Sequence, residues 1–168
     1  MTFCGIDLAV KRKTDVALLS GNKATVYEVD TDEEIVSLCS SSRLIAIDSP
    51  LLLLKYRDVD KEMIRRGFKV LPPSFMVSLV ERAISLRSFM SMLETHPTSS
   101  LKNAGICWRD LSKKKDIIDA VISAMAARLY HEGKAQVIEA HDGKVILLPK
   151  GRYNIIPVGE NKFYVFYI

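Results

Sequence analysis

The sequence predicts an α/β domain with a mixed central sheet, in which strands 1 to 3 are antiparallel, later strands are parallel, and helices flank the sheet. Three observations carry this. Apolar runs broken by turn residues fill positions 2–29, the run RLIAID at 43–48 has no polar interruption before its end, and a long Ala-rich segment at 116–130 repeats apolar residues at helical spacing. Composition agrees: of 168 residues 48% are hydrophobic, with only 8 Gly and 6 Pro, which suits a sizeable core and argues against fibrous or disordered chains.

Thr2 to Val10 and Asp15 to Ser20 read as a hairpin around Lys11-Arg12-Lys13, and Gly21-Asn22 turns the chain into a third strand, Ala24 to Val29. Thr31 and Glu34 have capping-box spacing, and Asp32 and Glu33 suit a helix N-terminus, so a short helix follows. Arg43 to Asp48 is then a central strand covered on both faces, resumed after a helical crossover and hence parallel to a neighbour. Asp58 to Arg66 reads as a helix closed by Gly67, and a second helix runs from Met76 to Arg87 beyond Pro72-Pro73. A short strand is expected within Phe89 to His96, ended by Pro97. In the 116–130 helix, Ile118, Ile122, Met125 and Leu129 form one buried stripe. The tail carries strand-like runs at 144–148, 153–158 and 163–168, expected as one or two hairpins that pair internally. One domain over 1–168 is expected, with a core of about 1–132 and a C-terminal hairpin extension of about 135–168 lying outside that core.

Three strands, helix, strand, helices, strand, helix is the element order of the ribonuclease H-like fold. In open α/β sheets ligands sit beyond the carboxyl ends of the strands. Asp7, Asp48 and Glu94 fall toward such ends, and Asp116 and Asp119 open the late helix three positions apart, on one face. Carboxylates gathered this way repel unless protonated or joined by a cation, and hard oxygen donors favour Mg²⁺ or Mn²⁺. Each acid also has an ordinary reading: Asp116 and Asp119 as helix-start residues, Asp48 as a turn cap, Glu94 as an exposed strand end. Only Asp7, flanked by Ile6 and Leu8, resists one.

Five motifs in order sharpen this: GIDLA at 5–9, AIDSPL at 46–51, YRDVDKEMIRRG at 56–67 with Leu71-Pro72-Pro73 after it, ETHP at 94–97, and KKDIIDAVISAMAA at 114–127. Together they resemble the domain of unknown function 429 family, predicted ribonuclease H-like nucleases, over about the first 130 residues. The last motif also resembles the DxxDA helix of RuvC-type resolvases. The resemblance implies that Asp7, Asp48, Asp116 and Asp119 are catalytic, metal-holding carboxylates. Glu94, in a family motif, joins them as a metal ligand, and Asp48 stands where resolvases carry the longer Glu. A nuclease of this kind would use two ions, about 3.5 to 4 Å apart, to activate water and stabilise the leaving oxygen of a phosphodiester.

Phosphate contacts are expected from Lys11, Arg12, Lys13, Arg57, Arg65, Arg66, Lys113, Lys114 and Lys115, basic residues close to the acids; the net charge of +4 permits nucleic-acid binding without requiring it. His96 is a candidate auxiliary group, and Tyr56, Phe75 and Trp108 read as core. Two other functions compete. A non-catalytic nucleic-acid-binding or scaffold module would keep the fold without turnover. A sugar-kinase-like or actin-like phosphate enzyme would need glycines that VKRKT at 10–14 lacks. A homodimer is left open. No stretch reaches the ~18 to 20 apolar residues of a membrane span, and Asp7 interrupts any secretory leader, so a cytoplasmic location is expected. Cys4, Cys39 and Cys107 form no CxxC pair and are expected as free thiols.

Overall fold

The computed structural model describes all of residues 1–168. Its N-terminal meander follows the reading above: β1 (Thr2–Asp7), β2 (Thr14–Ser20) and β3 (Lys23–Val29) pair antiparallel, with Asp7 opposite Asp15. Gly21 makes the second turn possible at φ +58. The capping box of α1 (Asp32–Cys39) is complete, Thr31 accepting from the Glu34 amide and Glu34 from the Thr31 amide. The crossover delivers β4 (Leu44–Ile47) parallel to β1, and β5 (Leu93–Thr95) lies parallel to β4. Between them lie α2 (Asp58–Arg65) and α3 (Val77–Leu86).

Three features of the helices and strands differ from the sequence expectation. Pro97 does not merely end β5; it begins α4 (Pro97–Ala104) at a position where a helix has no use for the missing N–H. The late helix α5 (Lys115–His131) is buried nearly all round, not along one stripe, because its alanines let it lie flat on the sheet while α4 covers its other side. The C-terminal strands are not an extension outside the core: β6 (Gln136–Ala140) and β7 (Gly143–Leu147) add to β5, while β8 (Tyr153–Pro157) and β9 (Lys162–Tyr167) add to β3. One nine-stranded sheet results, ordered β6-β7-β5-β4-β1-β2-β3-β9-β8.

Alternation along the strands divides the core. Phe3, Ala17, Leu19 and Ala46 point toward α5, whereas Cys4, Ile6, Val16, Ile45 and Ile47 point toward α1 and α3. A third cluster seats α2 on the β6–β7 hairpin through Val59, Met63, Ile138, Val145 and Leu147. Within the second cluster Cys4 and Cys39, both fully buried, form a disulfide with Cα atoms 5.5 Å apart, which corrects the free-thiol expectation; Cys107 is free and exposed. The pairing is tertiary: packing of α1 on β1 brings together cysteines 35 positions apart, a proximity no spacing rule reports. No helix is long and apolar enough to cross a membrane.

Candidate metal centre

Period-two alternation also sorts the acids. Asp7 shares parity with Phe3 and Gly5, Asp15 with Ala17, and Asp48 with Ala46, so all three carboxylates stand on the α5 side of the sheet, at one edge. The first two turns of α5 bring Asp116 and Asp119 to that edge. Two groups form: Asp7, Asp48 and Asp119, and Asp7, Asp15 and Asp116, each with carboxylate oxygens within 4.8 Å of one another. Asp7 belongs to both. A cleft of about 440 Å³ opens over Asp7, Asp48, Asp116 and Asp119, lined also by Arg12, Lys69, Glu94, His96 and Thr98.

The approach of α5 to β1 sets this geometry. Gly5 leaves no room for a side chain, since a Cβ there would stand 2.2 Å from the Ala120 carbonyl oxygen and the Ala124 amide nitrogen. Backbone therefore meets backbone two residues before Asp7 and one residue after Asp119.

Glu94 is placed differently. It pairs in register with Ile47 and so faces away from α5. There Arg57 takes both its oxygens at 2.6 Å and binds Asp60 through Nε and Nη2 at 3.0 and 2.8 Å, all three residues being buried. Arg57 therefore anchors α2 to β5 from within the cleft wall, its guanidinium taken up by the two acids. Arg66 pairs with Glu62 at 2.9 Å and Lys114 with Glu28 at 3.3 Å, both outside the cleft. Lys11 and Lys13 are exposed, and Lys69, not singled out from the sequence, lines the cleft. Lys115 grips Asp119 at 2.8 and 3.0 Å and donates to Thr98. Phe75 is 74% exposed and Tyr56 45%, contrary to their reading as core: both lie in irregular or 3-10 segments outside the core clusters. Trp108 packs at the rim of the main cluster.

Sequence reasoning missed Asp15. The signal was present in the register of the first hairpin, which sets position 15 opposite position 7.

Burial governs the electrostatics. It pushes Asp7 up to about 9, with Asp48 and Asp119 adding repulsion and Arg12 opposing. It raises Asp48 to about 7, aided by Asp119 and opposed by Lys115 and a hydrogen bond with Asp7. Asp15 rises to about 6 for the same first reason, against the pull of Arg12, and burial raises Asp119 against Lys115. His96, beside Ser99 at 2.5 Å, is pushed down to about 4 by burial and then by Lys115, so its imidazole is neutral at pH 7.

A stability prediction follows. In the metal-free protein, acids with raised pKa bind protons that the unfolded chain has released, so their stabilisation is complete below the unfolded value and lost as pH rises through the folded one. From about pH 4, the ordinary carboxylate value, stability should fall by about 1.4 kcal/mol per pH unit for each extra proton held, the Asp48 share ending near pH 7 and the Asp7 share near pH 9. Thermal unfolding in a chelator checks this. The Tm should drop across that window and recover on adding Mg²⁺ or Mn²⁺; a flat profile, unmoved by cations, would contradict it.

No family model, curated protein or solved structure matches this chain.

Proposed function

We propose that this protein is a metal-dependent nuclease of ribonuclease H-like fold, hydrolysing phosphodiester bonds of DNA or RNA, as the resemblance of its motifs to those of the domain of unknown function 429 family suggests. The observation that carries the reading is the convergence of Asp7, Asp48 and Asp119, from β1, the end of β4 and α5, on one point of the lining of an open cleft. The five central strands, ordered β3-β2-β1-β4-β5 with only the first three antiparallel, support the fold assignment.

The donor set suits a hard divalent cation. Every donor is a carboxylate oxygen, and burial, then repulsion from the neighbouring carboxylates, raises both Asp7 and Asp48. Mg²⁺ or Mn²⁺ would be held by Asp7, Asp48 and Asp119, with Asp15 and Asp116 offering a second position through the shared Asp7. Bound there, the metal supplies water activation and stabilisation of the leaving oxygen. The chain's own groups do the rest: Lys115 and Thr98 orient Asp119, neutral His96 can accept a proton at the cleft wall, and Lys11, Lys13 and Lys69 meet the phosphate backbone.

The test is cleavage of labelled single-stranded, duplex, hybrid and junction substrates with Mg²⁺ or Mn²⁺. Asp7→Asn and Asp119→Asn should each cost more than the ~10 to 100-fold typical of an outer-shell partner. Lys115→Gln should fall within that range. Absence of cutting by pure native protein on every substrate, with nucleic acid still bound, would favour a non-catalytic binding module instead.

A further inference from the structure

The turn after β1 carries Arg12, whose guanidinium lies among the carboxylates of Asp7, Asp15 and Asp116. Nη2 is 2.9 Å from Asp7 and 3.1 Å from Asp116, and Nη1 is 3.4 Å from Asp15. We infer that Arg12 is a tethered cation holding the position of a second divalent ion, and that it must swing out before that ion can enter; the inference rests on the metal-site reading above.

Mutual exclusion comes first. A guanidinium paired with three carboxylates takes the oxygens and the space that a divalent ion ligated by the same acids needs, so one displaces the other. Freedom to leave comes second. The Arg12 side chain is 43% exposed and sits on a short turn, whereas Arg57, the other arginine held by several acids, is sealed at 2%. A trigger comes third, because Asp7 is common to both groups. An ion seated by Asp7, Asp48 and Asp119 draws on the Asp7 carboxylate and loosens Arg12's shortest ion pair. Lys115 differs: it grips Asp119 alone, with Thr98, and so orients one ligand without standing among three. Once released, Arg12 remains at the wall of the cleft, where its fork suits a substrate phosphate.

Bound Mn²⁺ can be counted by titration against the electron paramagnetic resonance signal of the free ion, without any turnover. Native protein should take one Mn²⁺ tightly and a second weakly. Arg12→Gln should tighten the second by about tenfold or more, and Arg12→Gln/Asp15→Asn should lose that gain. Arg12→Lys, whose single ammonium cannot bridge three acids, should fall between, and it guards against misfolding of the glutamine variant. One ion bound equally by all forms would overturn the role of Arg12 and leave the metal site standing. No Mn²⁺ bound by any form would overturn both.

Discussion

Gly5→Val should unfold the protein or leave it barely stable, a loss above the ~1 to 3 kcal/mol of ordinary overpacking. The added carbon would meet the Ala120 carbonyl oxygen and Ala124 amide nitrogen at 2.2 Å, and the Ser123 carbonyl carbon at 2.9 Å. These are backbone atoms of one helix, so no side chain can turn aside. The only relief is for α5 to rise from β1, and that opens the largest core cluster at its centre. Urea unfolding measures the loss directly. Gly5→Ala, if it folds, should also bind Mn²⁺ more weakly, because lifting α5 draws Asp119 away from Asp7. A midpoint equal to that of the native protein would show that the helix does not rest on Gly5.

Arg57→Met should cost about 3 to 5 kcal/mol, the usual result of breaking a buried ion network from one side. Asp60 and Glu94 are 3% and 8% exposed and would lose the guanidinium that pairs with both, keeping one backbone amide donor each, from residue 57 and from Leu51. Met fills much of the space, so the loss reports charge more than cavity. Two companions locate the cause. Arg57→Lys should recover only part, since one ammonium cannot reproduce two forked pairs. Adding Asp60→Asn and Glu94→Gln to Arg57→Met should restore much of the stability, because the orphaned charges are then gone. If Arg57→Met melts within a degree or two of native protein, the network contributes nothing.

What could be read in advance was whatever local pattern controls. The Thr31–Glu34 cap, the meander, the RLIAID strand and the Ala-rich helix all announce themselves within a few residues. The shared placement of Asp7, Asp48, Asp116 and Asp119 was legible because each sits at the same kind of element end. What could not be read depends on partners distant in sequence. Arg57 lies in a charged stretch that looks like a solvated helix start, yet Glu94 arrives from another strand and draws it inside. Cys4 and Cys39 meet only because α1 packs on β1. Glu94 was grouped with the other acids by position along the chain, but strand alternation turns it to the opposite face. Pro97 shows how one residue type stops one element and starts the next.

The location of α5 also bears on how the chain reaches its final form. β1 pairs with β2 at once, yet its other face is covered by a helix formed only after four further strands and four helices have passed. Contacts of such wide separation slow the search for the native state. During synthesis the N-terminal meander would leave the ribosome with Phe3, Ala17 and Leu19 unprotected until α5 emerges. The interval before that helix docks is therefore when this protein most needs a chaperone, and variants that weaken the α5–β1 seam should be lost to aggregation during folding before they are lost to instability afterwards.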